Sequence, residues 1–326
     1  MTSEAVDVSK QGKLTEAEAA DVAQLLDAVA DADGVSPVNE HVLLHLRHGG
    51  DIASSNFLLR AADGTLAGYA HLDPTDPIEG PAAELAIHPD HRGKGLGRTL
   101  LGAVEQASPD GRLRLWAHGS HAGAEALALQ AGYRRTRVLW QMRKSLLAHL
   151  PSLEIPEGVR FRQFEQGKDE AAWTALNNAA FADHPDQSGW SEDDILLREK
   201  EPWFDPAGFL LAERIPDTQD DAELIGFHWT KIHGSTTDLA SHEHAAEHAA
   251  EHAHEPIGEV YVLGVHPSAR GMRLGPALTV AGLRYLRSRG LRQVMLYVDE
   301  SNTAAISIYE HLGFTRWDTD ISYTRD

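Results

Sequence analysis

The chain of 326 residues contains no cysteine. This absence excludes disulfide bonds, thiolate metal sites and a cysteine nucleophile, and it is compatible with a reducing compartment. Basic residues are scarce as well, because 29 lysines and arginines stand against 49 acidic residues and leave a formal net charge of −20. Nucleic acid and anionic membranes would be repelled by this charge, so neither is expected as a main partner.

Long apolar runs are missing too. The N-terminal stretch MTSEAVDVSKQGKLTEAEAADVAQLLDAVADADG has no apolar core of signal-peptide length, and no later run is long enough to span a bilayer. We therefore expect a cytoplasmic protein that works as a monomer. With 42% hydrophobic residues the chain can build substantial cores, and its length fits two domains of ordinary size.

The chain does contain a repeat. The segment HPDHRGKGLGRTLL at 88–101 returns as HPSARGMRLGPALT at 266–279, with seven of fourteen positions identical. Each copy lies between a run typical of a strand and a run typical of a helix, and another strand and helix follow. We predict an α/β fold of two tandem domains, each a mixed, mostly antiparallel sheet flanked by helices. The first domain spans 1–147, a linker with two prolines spans 148–157, and the second domain spans 158–326.

One insertion distinguishes the second copy from the first. Residues 234–258 stand where the first copy has only DPTDPIEGPA, and His244, His248 and His252 would line one face of a helix there. Neutral imidazoles at that spacing can bind Zn²⁺ or Ni²⁺, but no carboxylate–water constellation accompanies them. A solvated polar excursion is therefore favoured over a metal site, and no metal is expected to be required.

The repeated turns suit an anion. Backbone N–H groups at a helix N-terminus bind phosphate, and glycines let the backbone approach it closely. The segment RGKGLG at 92–97 supplies both features and two cations. A Walker P-loop is excluded because no Lys-Ser or Lys-Thr pair follows the glycines. The dinucleotide fingerprint fails because a parallel βαβ unit with a suitably spaced acidic residue is missing.

A strand, a turn and a helix occur twice, and each set is followed by a strand and by a helix that ends in AGY or LGF. This pattern resembles the GNAT superfamily of acetyl-CoA-dependent N-acetyltransferases. The superfamily motif, Arg/Gln-x-x-Gly-x-Gly/Ala, is matched fully by RGKGLG. In the second copy, RGMRLG has Arg273 where the middle glycine belongs. An arginine there can still pair with a phosphate, so this loop is also expected to bind the coenzyme. The sequence does not fix the path of its backbone.

A narrower resemblance covers nearly the whole chain apart from the insertion. Six segments are similar to the mycothiol synthase family of tandem GNAT proteins: QMRKSL, NNAAFADHPDQSGW, WFDPAGFLL, GFHWTKIH, GEVYVLGVHP and LYVDESNTAAISIYEHLGF. The resemblance implies an N-acetyltransferase with acetyl-CoA as co-substrate. Its small amine substrate would be cysteinyl-glucosaminyl-inositol, acetylated on the cysteinyl amine to give mycothiol.

The same resemblance implies that acetyl-CoA binds along the strand and turn of each copy and at the start of the last helix. The residues implied in cofactor binding are Leu85, Ala86, Ile87, Arg92, Gly93, Lys94, Gly95, Leu96, Gly97, Arg98, Leu263, Gly264, Val265, Arg270, Gly271, Met272, Arg273, Leu274, Gly275, Pro276, Asn302, Thr303, Ala304, Ala305, Ile306 and Ser307.

Amide formation from a thioester needs a proton acceptor for the amine and a proton donor for the departing thiolate. Glu259 heads the strand EVYVLGV and is the expected acceptor, with Tyr261 and Leu263 on its side of the sheet if the strand is regular. Tyr309 lies where the superfamily places its proton donor, and Asn302 is expected to bond the pantetheine arm. From the residues alone, each role has a competing interpretation. Glu259 would then be a surface glutamate at the end of a strand, and Tyr309 would be an aromatic residue that anchors its helix.

The first copy serves as an internal control. It has His121 in place of Asn302 and Ala128 in place of Tyr309. The second domain is therefore expected to catalyse, while the first binds acetyl-CoA without turnover or serves structurally.

For the amine substrate, the resemblance implies binding by Glu40, Asp186, Lys231, Glu259 and Tyr297. Glu40 would then reach the cleft from the first domain, although a glutamate in a first helical turn is also favoured by the helix dipole. Asp186 stands where a longer glutamate is expected, so a water could intervene. Four aromatic residues could either form a wall of the cleft or pack in the core: Trp190, Trp203, Phe204 and Trp229.

Other functions stay open on sequence alone. A GNAT enzyme could acetylate a different amine, such as an aminoglycoside, a polyamine or a protein N-terminus. A degenerate tandem could instead sense acetyl-CoA without turnover, or buffer metal through the histidine run. Binding of acetyl-CoA without release of CoA would favour the sensor.

Overall fold

The computed structural model describes residues 6–48, 53–75, 80–108, 111–182, 189–215, 223–233 and 256–325. The chain forms two compact units: unit 1 comprises Met1–Trp140 and Asp318–Asp326, and unit 2 comprises Gln141–Trp317. This division differs from the boundaries predicted at 147 and 158. The difference arises because the strand that ends the first copy and the last strand of the chain are each divided between the units.

Unit 1 is built on a mixed sheet. Its elements in chain order are β1 (Asp7–Gln11), α1 (Glu16–Asp33), α2 (Glu40–His48), β2 (Ser55–Arg60), β3 (Leu66–Asp73), β4 (Ala82–Ile87), α3 (Leu96–Ala107), β5 (Arg114–Ala117), α4 (Ala122–Gln130), the first part of β6 (Arg134–Ser145) and the last part of β12 (Thr315–Thr324). Antiparallel ladders join β1 to β2, β2 to β3, β3 to β4 and β5 to β12, and a parallel ladder joins β4 to β5.

Unit 2 repeats this plan. Besides the remaining parts of β6 and β12, its elements are β7 (Val159–Gln163), α5 (Glu170–Ala180), α6 (Glu192–Arg198), β8 (Phe209–Arg214), β9 (Glu223–His233), β10 (Ile257–Val265), α7 (Leu274–Ser288), β11 (Gln293–Asp299) and α8 (Thr303–His311). The strands β7, β8, β9 and β10 are joined in turn by antiparallel ladders, and β10 runs parallel to β11. The predicted fold class is therefore confirmed in each unit.

Local chemistry explains where the elements begin. The side chain of Thr15 caps α1 and accepts from the backbone N–H of Glu18, while the Glu18 carboxylate accepts from the Thr15 N–H, which completes a capping box. The helix ends at Gly34 in the left-handed conformation, with φ of 74°. Between these caps, Val22, Leu25 and other apolar residues at helical spacing are buried against the sheet.

The core of unit 2 is unusually aromatic. Phe209 stacks on Trp229 with 4.4 Å between ring centroids, and Trp173 meets Trp229 edge-on at 5.4 Å. Trp203 belongs to the same buried cluster, and Trp190 and Phe204 are partly buried and pack against it. Burial of each large apolar side chain contributes roughly 1.5–3 kcal/mol. Of the two roles open to these aromatic residues, the structure therefore supports the core.

Candidate active site

The glycine turn has the same backbone path in both units. In unit 1 it lies between β4 and α3, where Gly93 and Gly95 have φ of 73° and 83°. In unit 2 it lies between β10 and α7, where Gly271 has φ of 86° and Arg273 has φ of 58°. Arg273 thus adopts the left-handed conformation of the glycine it replaces, at a cost of about 1–2 kcal/mol for a residue with a Cβ. This answers the question that the sequence left open about the second loop.

Both turns are shaped to receive an anion. Neither α3 nor α7 has a side-chain hydrogen bond at its N-cap, so the first N–H groups of each helix are available to a ligand. A Cβ atom placed on Gly93, Gly95 or Gly271 would meet nothing within 4 Å, so open space lies beside this backbone. Polar amides facing open space at a helix N-terminus fit the phosphates of a coenzyme.

The parallel strands beside each turn separate. The ladder between β10 and β11 contains only Gly258–Val260 paired with Val294–Leu296, although β10 continues to Val265 and β11 to Asp299. In unit 1 the ladder between β4 and β5 likewise stops at Glu84 and Trp116. The backbone of the last residues of β10 is therefore open on the β11 side within the described residues, next to the turn. An extended chain with amide groups can pair with such an edge.

Glu259 lies in a polar group on one face of the unit 2 sheet. It is 7% exposed and is the direct cross-strand partner of Lys231 on β9. His233 Nε2 donates to Glu259 Oε2 at 2.6 Å. Lys231 Nζ lies 4.5 Å from the centroid of the Trp203 ring and 5.5 Å from that of Tyr261. A buried carboxylate held by an imidazole can accept a proton and remain in place.

Sequence reasoning missed His233 at this site. The signal was present, because His233 follows Lys231 by two residues on β9, and residues two apart share a face of a strand. The histidine therefore had to lie on the same side of the sheet as Lys231 and its partner Glu259.

A bulge overturns one expectation about β10. The register with β9 shifts between Val260 and Val262, so Tyr261 is an extra residue in the ladder. Tyr261 stays on the side of Lys231, as expected. Leu263 does not, because it packs instead with the cluster of Leu274 and Leu278 from α7 on the other face. The expectation for a regular strand is wrong at this position.

Tyr309 and Asn302 lie on α8. The Asn302 side chain caps this helix and accepts from the Ala305 N–H at 3.1 Å. The Tyr309 ring packs against Phe314 with 5.7 Å between centroids, and burial raises the pKa of its hydroxyl to about 12. Within the described residues this hydroxyl has no hydrogen-bond partner. It is therefore protonated at neutral pH and able to donate to a ligand atom.

The matching helix of unit 1 has the same cap but lacks the hydroxyl. His121 Nδ1 accepts from the Ala124 N–H at 3.3 Å at the start of α4, in the role that Asn302 has at α8. Ala128 is a buried residue of the unit 1 core. The register of β3 with β4 also places Ala82 opposite Asp73, where unit 2 has Glu259 opposite Lys231.

The arginine that begins the glycine turn of unit 1 is paired within that unit. Arg92 donates to both carboxylate oxygens of Asp33 at 2.7 Å and, through Nε, to the carbonyl of Ile87. Its counterpart in unit 2, Arg270, is exposed and makes no ion pair within the part of the chain that the structure describes. An arginine already neutralised by a carboxylate has less to offer a phosphate than one that is not.

Of the remaining residues predicted to bind the amine substrate, two lie within the described part of the chain. Glu40 is the first residue of α2 in unit 1 and is half-buried. Tyr297 on β11 is 38% exposed and accepts a hydrogen bond from Gln141 Nε2 at 2.8 Å. Asp186 lies outside the described residues, as do His244, His248 and His252. Within the described ranges, no three histidine or acidic side chains are grouped so that they could hold a metal ion.

A splayed parallel strand pair, a glycine turn and an uncapped helix, present in each of two units, define a tandem GNAT-type acyltransferase. Comparisons agree with this class. The model of the acetyltransferase (GNAT) family matches residues 29–133 and 171–314. The mycothiol acetyltransferase of Streptosporangium roseum is 53% identical over 98% of this chain and 99% of its own length. That of Acidothermus cellulolyticus is 52% identical over 98% of this chain and 95% of its own length. The chain belongs to the acetyltransferase (GNAT) family and, within it, to the mycothiol acetyltransferases.

Solved structures have the same fold. A GCN5-related N-acetyltransferase from Sphaerobacter thermophilus has a TM-score of 0.66 and 26% identity, and the match covers 98% of this chain and 95% of that one. A tandem GNAT protein from the clavulanic acid biosynthesis pathway has a TM-score of 0.68 and 18% identity over 98% of each chain, which shows the fold alone. Within the described residues, no helix is both long and apolar enough to cross a membrane.

Proposed function

We propose that this acyltransferase moves the acetyl group of acetyl-CoA to the cysteinyl amine of cysteinyl-glucosaminyl-inositol, which gives mycothiol, and that unit 2 performs the chemistry. The relatives named mycothiol acetyltransferase support the substrate. The observation that carries the assignment to unit 2 is the polar group around Glu259, because unit 1 has Ala82 at the corresponding position.

The turn and strand of unit 2 would hold the coenzyme. Its phosphates fit the N–H groups at the start of α7, with Arg270 and Arg273 to neutralise charge. Its pantetheine arm, which carries two amides, fits the open edge of β10 at residues 263–265. The side-chain oxygen of Asn302 already caps α8, so its side-chain NH₂ group is the part that would donate a hydrogen bond to the arm.

The side chains of unit 2 then account for each proton. Glu259 takes one proton from the substrate ammonium, which frees the nitrogen lone pair to attack the thioester carbonyl. His233 holds the carboxylate through Oε2 during this step. As the C–N bond forms and the C–S bond breaks, the nitrogen loses a second proton, and CoA leaves as a thiolate. The Tyr309 hydroxyl donates to the sulfur, so the second proton ends on CoA by way of the phenol, and the first leaves to solvent.

The amine substrate would lie over the face that carries Glu259. Lys231 and Tyr297 lie on β9 and β11, the two strands that flank β10, so they can bond hydroxyls on either side of the amine. Glu40 and Asp186 stay assigned to the substrate by family resemblance. Unit 1 is proposed to bind acetyl-CoA without turnover or to serve structurally, since it keeps the turn but lacks the carboxylate and the phenol.

The direct test incubates the purified chain with acetyl-CoA and cysteinyl-glucosaminyl-inositol and follows both products by liquid chromatography–mass spectrometry. Formation of the N-acetylated product with an equal amount of CoA is expected. A panel of other amines, including a polyamine and an aminoglycoside, measures selectivity. Tight binding of acetyl-CoA with no CoA released on any amine would overturn the proposal and favour a sensor.

A further inference from the structure

A row of side chains on the Glu259 face of unit 2 continues beyond the proposed site. Glu259 and Met295 are partners in the parallel ladder of β10 and β11, so their side chains share a face of the sheet. Tyr297 follows Met295 by two residues and therefore lies on that face as well. The row then passes to β6, because Gln141 Nε2 donates to the Tyr297 hydroxyl at 2.8 Å.

Gln141 connects Tyr297 to the next members of the row. It is only 5% exposed, and Arg143 Nε donates to its side-chain oxygen at 2.9 Å. Both ends of this buried amide are satisfied, so its orientation is fixed. The guanidinium carbon of Arg143 lies 4.5 Å from the centroid of the Trp317 ring. Three contacts thus link the predicted substrate residue Tyr297 to Trp317.

Trp317 has an exposed ring in a defined orientation. The residue exposes 64% of its surface although it lies in the strand β12. A single exposed apolar residue needs no explanation by itself, but this ring is stacked on a guanidinium that is itself held by Gln141. A flat apolar surface next to a fork of N–H donors suits a six-membered polyol ring. Such a ring has an apolar C–H face and an edge of hydroxyl acceptors.

The spacing of the row matches the length of the proposed substrate. In the order β10, β11, β6 and β12, three steps separate Glu259 from Trp317. At roughly 4.8 Å a step, the row is on the order of 14 Å long. A cysteinyl amide followed by two linked six-membered rings has a comparable extended length. With its amine at Glu259, the terminal ring would lie over β6 and β12.

We propose that Trp317 and Arg143 form a distal subsite of unit 2 that binds the terminal polyhydroxylated ring of the amine substrate. Gln141 is a positioning residue that holds the subsite in line with Tyr297. This inference rests on the proposed function and adds to it the residues that distinguish the full pseudo-disaccharide from shorter cysteinyl amines.

The test compares kcat/KM for cysteinyl-glucosaminyl-inositol with kcat/KM for cysteinyl-glucosamine, which lacks the terminal ring. Trp317→Leu is expected to lower the value for the full substrate by about five- to tenfold, the size of an aromatic stacking contribution, and to leave the shorter amine unchanged. Trp317→Tyr keeps a flat ring and should retain most of the activity. Gln141→Leu should raise KM for the full substrate while kcat stays near the wild-type value.

Leu147→Ala is the matched control, since Leu147 is 73% exposed in unit 2 and lies outside the row. It should leave both values unchanged, and thermal melting of every variant confirms folding. Equal losses on the two amines, or no loss in Trp317→Leu, would overturn the subsite while leaving the proposed function intact. A wild-type chain that acetylates neither amine would instead overturn the proposed function itself, and the ligand of this subsite with it.

Discussion

The two units make different use of ionisable residues around the same turn. In unit 1, Arg92 is neutralised by Asp33, and His118 lies buried between Glu84 and Asp320 at 3.5 Å and 2.9 Å. In unit 2, the corresponding arginine is exposed, and the carboxylate of the site is held by a histidine and faces a lysine. In a duplicated fold, charged residues can therefore stabilise one copy through internal ion pairs and be available to a ligand in the other copy.

The largest effect is expected from Glu259→Gln. This variant keeps the shape of the side chain but removes the proton acceptor, so kcat should fall by about 10²- to 10⁴-fold. Steady-state release of CoA measures it. Glu223→Gln, on the exposed start of β9, is the matched control in the same unit. Wild-type turnover in Glu259→Gln would show that Glu259 is not the proton acceptor of the reaction.

A large effect on stability, with no role in catalysis, is expected from His118→Gln in unit 1. Burial alone would lower the pKa of His118, but the charge of Glu84 and the hydrogen bond with Asp320 raise it to about 10. Removal of one partner from a buried ionic group costs about 3–5 kcal/mol. Urea denaturation at pH 6 should show a loss of that order in the free energy of unfolding.

The pH dependence of this loss follows from the raised pKa. The contribution of His118 is fully present below the ordinary value of 6.5 and is lost as the pH rises through about 10. The difference between the wild type and His118→Gln should therefore shrink from pH 6 to pH 10. His149→Gln, at an exposed position, is the control and should leave the free energy of unfolding at pH 6 close to the wild-type value. A difference that stays constant with pH would mean that His118 is neutral in the folded chain.

Tyr309→Phe should lower kcat by about 10²-fold, at the low end for an acid catalyst because a thiolate is a stable leaving group. Binding of acetyl-CoA, measured by calorimetry, should change little, since the ring remains. Tyr285→Phe is the matched control, because its hydroxyl bonds to Asp205 at 2.6 Å and is not part of the site. Unchanged turnover at saturating substrate would remove Tyr309 from the mechanism.

The smallest effects come from the two turn arginines, and they should differ in kind. Arg270→Ala is expected to weaken acetyl-CoA binding about three- to tenfold with little change in stability, as for an exposed charge pair with the ligand. Arg92→Ala removes both hydrogen bonds that Arg92 donates to Asp33 and should lower the free energy of unfolding by about 1 kcal/mol. Calorimetry and urea denaturation of both variants separate the two outcomes. If the two arginines behaved alike, the contrast between the turns would be wrong.

The parts of the site that could be predicted are those encoded locally. The repeat predicted the two turns, because glycines at these positions permit a left-handed backbone, and it predicted that His121 and Asn302 occupy matching positions before a helix. The fold class followed from the alternation of strands and helices. These features depend on neighbours in sequence, and each was visible before any contact between distant residues was known.

The parts that could not be predicted depend on contacts between distant residues. The bulge at Tyr261 arises from the pairing of β10 with β9, and a one-residue shift moves Leu263 to the opposite face. The pairing of Arg92 with Asp33 joins residues 59 positions apart in the chain. The core role of Trp229 depends on rings from α5 and β8. His233 is the exception, since its place beside Lys231 follows from strand alternation alone.

The division of β12 has a consequence for synthesis. Residues Ile321–Thr324 pair with β5, and Asp320 accepts hydrogen bonds from the neighbouring loop of unit 1 at His118 and Gly119. Most of unit 1 precedes unit 2 in the chain, yet the sheet of unit 1 gains this strand only when residue 324 has been translated. A chain arrested before Asp318 would leave β5 with one edge unpaired. The sheet of unit 1 is thus completed only after the whole of unit 2 has been translated.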